Sequence, residues 1–227
     1  MEPTRAVIFF VRDERTEGLL KPLPRRYRAA GYRGLNGRMM ARLASSAIHG
    51  TDLIVATEGA CGDMRLPQRG DSFGERIGNA IADAFDLGYR DVVVVGNDCP
   101  DLAQKDIEAA FRMLASGAAY VAAPTRDGGA FMIAAHRGTF DAHTFMRLPW
   151  QTDRLYQAFL ELPGAASLAI LREDFDDWNH RAARRALDGF FGRIHIQSRI
   201  RFSQPTLPSS SRMKALTRSF LTSPPLA

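Results

Sequence analysis

The sequence predicts an α/β fold of three layers, a mostly parallel central sheet between two layers of helices. Three observations predict it. Asp91-Val92-Val93-Val94-Val95 runs four valines together before an acidic turn, and a strand without polar alternation is covered on both faces. Ala6-Val7-Ile8-Phe9-Phe10-Val11 is a second such run. Between the strand candidates lie stretches of helical period, and strand, helix and strand in succession make parallel crossover units.

Taken in order, the first strand leads into a polar, basic connection from Arg12 to about Leu35. Loops longer than about 12–15 residues inside compact domains tend to be functional or disordered. This one holds Lys21-Pro22-Leu23-Pro24-Arg25-Arg26-Tyr27-Arg28. Its prolines stiffen it and its cations suit phosphates, although a solvated basic loop has the same composition. Gly31, Gly34 and Gly37 follow, but no Gly-x-x-x-x-Gly-Lys-Ser/Thr occurs, which excludes a P-loop. A helix from about Asn36 to His49 precedes a strand over Thr51–Thr57.

Ser72 and Glu75 match a capping box. Ile77, Ile81, Ala84 and Phe85 then form one apolar stripe, ending near Gly88. The start of that helix offers backbone N–H groups beside Gln68 and Gly74, a lip for a base or phosphate. The valine strand follows and empties into Gly96-Asn97-Asp98-Cys99-Pro100-Asp101-Leu102. Ligands of such sheets bind outside the carboxyl ends of strands, so Asp98 lies where a nucleotide or metal is expected. Asp101, three residues before Gln104, reads as a helix cap.

The next helix carries Ile107, Ala110, Phe111 and Leu114 and closes at Gly117. A strand over residues 118–124 leads to Asp127-Gly128-Gly129 and the apolar strand Ala130–Ala135. The paired glycines suit close backbone approach to a ligand; the structural alternative is a tight hairpin. Trp150 either stacks on a ring or fills the core. A helix opens at Thr152 with Leu155, Phe159 and Leu162 on its buried stripe, and a strand follows over Ala166–Leu171. In Asp174-Phe175-Asp176-Asp177, Asp177 caps a helix over residues 178–190 and Asp176 is left as a potential ligand.

Charge and composition bound the partners. The net charge is +5, yet no acidic residue follows Asp188, whereas Arg193, Arg199, Arg201, Arg212, Lys214 and Arg218 do. The basicity belongs to the tail, and the rest of the chain is close to neutral. We expect residues 1–191 to form one domain and residues 192–227 a flexible, basic, Ser/Pro-containing tail. No nucleic-acid partner is expected. Nor is a membrane span, since no apolar run approaches roughly 18 residues. With no signal-peptide pattern, the expected location is cytoplasmic. Cys61 and Cys99 have neither metal-ligand nor redox spacing.

Strand ends bearing Asp98, Asp127 and Asp176, without histidines at ligand spacing, suit Mg²⁺ or Mn²⁺ rather than zinc. A hard cation beside a basic loop suggests a diphosphate. Gln68 with Phe73-Gly74-Glu75-Arg76, the valine strand with its acidic turn, Asp127-Gly128-Gly129, Pro149-Trp150-Gln151-Thr152-Asp153-Arg154 and Asp174-Phe175-Asp176 together resemble, in order and spacing, a bacterial family. It is that of the arsenosugar-biosynthesis-type glycosyltransferases, within the GT-A nucleotide-diphospho-sugar transferase superfamily. The resemblance spans roughly residues 5–188.

The resemblance implies a GT-A, Rossmann-like fold and a metal-dependent transfer of sugar from a nucleotide-diphospho-sugar donor to the hydroxyl of a small-molecule acceptor. It implies Asp98 and Asp176 as metal ligands, and Arg12, Lys21, Arg25, Arg26, Gln68, Gly74, Arg76 and Asn97 as nucleotide-binding. Gly128, Gly129, Trp150 and Thr152 would border the substrate, with Asp127 and Asp153 the candidate bases. The family's Lys-x-Pro-x-Pro-Gly-x-x-Lys-Thr-Arg-Leu loop is absent here; Lys21, Arg25 and Arg26 are its candidate substitutes. The aromatic residue usual after the paired glycines is Ala130. Two alternatives stay open: a guanylyltransferase-like nucleotidyltransferase of cofactor synthesis, and a catalytically silent protein of the same fold. A homodimer is compatible with the sequence but not specified by it.

Overall fold

A computed structural model describes residues 4–12, 28–45, 50–58, 64–99 and 102–170. Seven strands form one sheet: β1 (Arg5–Phe10), β2 (Thr51–Thr57), β3 (Arg65–Pro67), β4 (Asp91–Val95), β5 (Tyr120–Pro124), β6 (Ala130–His136) and β7 (Ala165–Ser167). Their spatial order is β3-β2-β1-β4-β6-β5-β7. β1, β2, β3 and β4 pair in parallel. β6 is inserted antiparallel between β4 and β5, so the sheet is mixed but mostly parallel.

Five helices are described: α1 (Arg28–Ser45), α2 (Phe73–Asp86), α3 (Gln104–Ala115), α4 (Ala142–Met146) and α5 (Leu155–Leu160). The pleat explains how they cover the sheet, since successive side chains of a strand point to opposite faces. Val93 and Val95 join Val7, Phe9, Met39, Leu43, Ile107 and Phe111 on the face of α1 and α3. Val92 and Val94 join Ala6, Ile8, Ile77, Ile81, Phe145 and Phe159 on the face of α2, α4 and α5. All five residues of β4 are buried, as an unbroken valine run requires.

Several boundaries differ from expectation. α1 begins at Arg28 rather than near Asn36, so three glycines lie inside it although each costs about 1 kcal/mol in a helix. From Asn36 onward the helix is packed on the sheet, with Asn36, Met39 and Leu43 buried on one stripe. β3 is an edge strand of three residues, too short to carry a period in the sequence. α3 starts at Gln104 with Ala103 at its cap position, where the Asp106 carboxylate accepts from the Ala103 N–H at 3.0 Å; Asp101 lies outside the described residues. α5 opens at Leu155 rather than Thr152, although Leu155, Phe159 and Leu162 are buried as expected. β7 spans three residues.

The helix α2 follows its prediction closely. The Ser72 hydroxyl accepts from the Glu75 N–H at 3.1 Å, and the Glu75 carboxylate accepts from the Ser72 N–H at 2.9 Å. The bond from the Ser72 N–H, with a second from the Asp71 N–H, holds the Glu75 carboxyl below its ordinary value. Leu87 caps the far end and Gly88 takes a positive φ of 96°. Among the described residues no helix is long and apolar enough to cross a membrane.

Candidate functional site

The sheet order dictates where a site can form. From β1 the chain builds outward through β2 and β3, then returns through α2 to β4 on the other side of β1. The crevice outside the carboxyl ends of β1 and β4 is therefore a topological switch point, the usual ligand position in open α/β sheets. A cleft of about 570 Å³ occupies it, a size typical of small-molecule sites. Arg12 enters from the end of β1, and Asn97 and Asp98 from the end of β4. Asp127 and Gly129 enter from the β5–β6 turn, and Trp150, Thr152 and Asp153 from the segment before α5. Phe10, Ile77, Val94 and Met132 give it an apolar floor.

The acidic turn after β4 is held from above by α1. Asn97 is 5% exposed and donates through Nδ2 to the Oδ1 of Asn36, itself 6% exposed, at 2.9 Å. Arg42 donates to the carbonyl of Leu102 at 3.0 Å. Cys99 and Leu102 are buried between these two contacts. Asp98 itself is half-buried and opens onto the cleft. The motif reading did not single out Asn36; a buried asparagine on an otherwise apolar i, i+3, i+7 stripe was the signal available.

The opposite lip is formed by Asp127 and Gly129 of the β5–β6 turn. β5 and β6 are antiparallel neighbours, so the segment is a hairpin turn, and it also lines the cleft. Asp127 Oδ1 accepts from the Thr125 hydroxyl at 2.5 Å and from the Gly129 N–H at 3.2 Å. Gly128 has φ +89°, and a Cβ there would stand 2.0 Å from the carbonyl oxygen of Asp153. Only glycine permits that approach. Tyr156 N–H donates to Gly128 O at 2.9 Å, so Asp127 and Asp153 sit on two loops packed backbone to backbone.

Trp150 packs among core aromatics and also borders the cleft. Its ring lies 5.6 Å from Phe73 and 5.1 Å from Phe145, and its Nε1 donates to Phe145 O at 3.0 Å, while one side borders the cleft. Thr152 donates to Pro149 O at 2.7 Å and accepts from the Arg154 N–H, which fixes the loop that carries Asp153.

Three residues expected at the nucleotide do not line the cleft. Gln68 Nε2 donates to Val11 O at 3.0 Å and Ala56 O at 3.1 Å, tying the ends of β1 and β2 together. Gly74 is buried under Trp150 and Met146; a Cβ there would lie 2.2 Å from Met146 O. Its lack of a side chain serves this packing. Arg76 pairs with Glu58 at 3.3 Å. Neighbouring Arg69 pairs with Asp83, whose burial raises its carboxyl above the ordinary value against the pull of that arginine. Lys21, Arg25, Arg26 and Asp176 lie outside the described residues. Among the described residues no three His, Cys, Asp or Glu side chains converge to hold a metal.

A mixed α/β sheet with a cleft at its switch point has the layout in which open α/β folds usually bind small molecules. Over residues 34–152, more than half its length, the chain matches the DUF2064 model, described as an uncharacterized protein conserved in bacteria; the chain belongs to that family. No curated protein matches the sequence. Among solved structures, a provisionally named nucleotide-diphospho-sugar transferase from Desulfovibrio desulfuricans G20 is similar. It has 23% identity and a TM-score of 0.65, with 97% of this chain and 96% of that one covered. Rv0371c of Mycobacterium tuberculosis H37Rv gives 15%, 0.51, 83% and 99%. The synthetase CMP:2-keto-3-deoxy-manno-octonic acid synthetase, complexed with CTP, gives 12%, 0.52, 84% and 99%. At these identities the likeness is one of fold.

Proposed function

We propose that the protein is a metal-dependent glycosyltransferase that takes a sugar from a nucleotide-diphospho-sugar and places it on a small-molecule hydroxyl. Residues 1–191 would be its catalytic domain and residues 192–227 an appended tail. The observation that carries this reading is the meeting of Arg12, Asn97 and Asp98 at the switch point. A cation from one strand end and a carboxylate from the next face a single cleft, the arrangement a diphosphate with its counter-ion requires. The GT-A assignment and the arsenosugar-type acceptor rest on the motif resemblance.

Mg²⁺ or Mn²⁺ fits this donor set as a partner of the diphosphate rather than as a resident ion. Such cations are commonly held by one or two carboxylates together with substrate phosphates. Asp98 would be that carboxylate, with Asp176 the second ligand. When bound, the cation neutralises charge on the departing diphosphate. Arg12 would add to that stabilisation, as a fixed charge aimed at where negative charge develops; Lys21, Arg25 and Arg26 would approach from the preceding loop.

In the transfer, the acceptor oxygen bonds to the anomeric carbon while the bond from that carbon to the diphosphate oxygen breaks. Nucleoside diphosphate leaves with the electron pair. The acceptor proton passes to a carboxylate, and Asp153 suits this better than Asp127. Asp127 Oδ1 already accepts two hydrogen bonds from its own turn, the Thr125 hydroxyl and the Gly129 N–H, which tie that oxygen to the hairpin rather than to an acceptor. Gly128, Gly129, Trp150 and Thr152 would shape the acceptor pocket around them.

Product analysis tests the reading. Incubation with UDP-, GDP- and TDP-sugars and Mn²⁺ should release nucleoside diphosphate. Release of pyrophosphate from a nucleoside triphosphate and a sugar phosphate would instead establish the nucleotidyltransferase. No nucleotide-dependent shift in melting temperature with any of them would leave a silent protein of this fold.

A further inference from the structure

The acidic turn after β4 is gripped at both ends by one helix, and neither gripping residue belongs to the cleft. At its start Asn97 is bonded to Asn36, and at its end the Leu102 carbonyl accepts from Arg42. Met39 and Leu43, on the same side of α1, are buried in the core cluster that also contains Cys99 and Leu102. The Asn36–Asn97 pair is a polar contact set into an apolar layer. A buried amide is costly unless bonded, so a pair of this kind fixes one arrangement where hydrophobic packing would accept several. Asp98 is the next residue after Asn97, and its side chain faces the cleft.

We infer that Asn36 and Arg42 are positioning residues: α1 holds Asn97 and Leu102, on either side of Asp98 and Cys99, and so sets where Asp98 meets its ligand. α1 also follows directly the basic segment that contains Lys21, Arg25 and Arg26. One helix thus connects the proposed phosphate loop to the proposed metal carboxylate. The clamp itself rests on geometry alone; its consequence for metal binding rests on the proposed function.

Cys99 reports on the clamp without any ligand, because it is 3% exposed and lies inside the gripped turn. The experiment compares full-length wild type, Asn36→Ala and Arg42→Ala with Tyr89→Phe. That last variant deletes a 2.6 Å hydrogen bond to Asp52, between the segment entering β4 and the start of β2 and so at the amino ends of the strands, opposite the cleft. Alkylation of Cys99 by iodoacetamide is followed by mass spectrometry, and UDP affinity is measured with and without Mg²⁺. Asn36→Ala should speed Cys99 labelling about tenfold, Arg42→Ala by a smaller factor because its side chain is exposed, and Tyr89→Phe not at all. The gain in UDP affinity on adding Mg²⁺ should shrink in both clamp variants and persist in Tyr89→Phe.

Unchanged labelling in both clamp variants overturns the clamp. Faster labelling with an intact Mg²⁺ gain overturns the positioning role and leaves α1 as packing. Where wild type does not bind UDP, the same titration is run with GDP and TDP; failure to bind any of the three counts against the proposed function, and the labelling rates then still decide the clamp. Arg42→Ala keeps the test falsifiable should Asn36→Ala not fold, since removing an exposed side chain spares the core.

Discussion

The strand β4 is flanked by an aspartate at each end, and the two have opposite fates. Asp91, at the amino end, is 1% exposed and enclosed by charge: His136 Nδ1 lies 2.7 Å from it, Arg90 3.0 Å and Arg5 3.9 Å. It joins β1, β4 and β6 where all three begin or end. Asp98, just past the carboxyl end, is half-buried beside a cleft of about 570 Å³. The base of the sheet spends its carboxylate on holding strands together, whereas the top presents one to a ligand-sized space. A residue type therefore says little by itself; its side of the sheet decides whether it is structure or chemistry.

Removing the base carboxylate is the strongest way to break this comparison. Asp91→Ala should lower unfolding free energy by about 3 kcal/mol, toward the low end for losing one member of a buried pair, because Arg5 and Arg90 can rehydrate. Urea denaturation measures it, and nucleotide binding by the folded fraction should survive. Gly128→Ala tests the cleft lip: a Cβ 2.0 Å from the Asp153 carbonyl at a positive φ should cost about 2 kcal/mol. It should also weaken acceptor binding more than nucleotide binding. Ser72→Ala, remote from both aspartates, should cost about 1 kcal/mol through lost capping of α2 and leave ligand affinity unchanged.

A smaller effect has a defined pH sense. Backbone hydrogen bonds from Ser72 and Asp71 lower the Glu75 carboxyl, so its contribution is full above the ordinary glutamate range. That contribution fades as pH falls through the lowered folded value. The difference in melting temperature between wild type and Glu75→Gln should therefore narrow below about pH 4. A difference that widens in acid would show that Glu75 is not a charged cap.

What the sequence revealed follows the same division. Buried strands and amphipathic helices were legible because periodicity is a local signal: the valine run, the α2 capping box, and the stripes of α3 and α5 lie where the pattern puts them. Asp98 beside the cleft was legible because it follows a fully buried strand. Gln68, Gly74 and Arg76 were not, since their partners (Val11, Ala56, Met146, Trp150 and Glu58) come from other parts of the fold. Helix N–H groups at the start of α2 looked available in sequence, yet Trp150 closes over Gly74. The early start of α1 was not legible because Gly31, Gly34 and Gly37 lower helix propensity over that stretch. Asn36 was hidden for a related reason, its partner being 61 positions away.

The central claim is that Asp98 is the carboxylate through which a divalent cation and a nucleoside diphosphate are held. Calorimetric titration of wild type and Asp98→Asn with UDP, GDP and TDP, each with and without Mn²⁺, tests it most directly. The account predicts tighter binding of one nucleotide in the presence of metal for wild type. It predicts loss of that metal-dependent increment in Asp98→Asn, with thermal unfolding unchanged. Metal-dependent binding of undiminished strength in Asp98→Asn would contradict it.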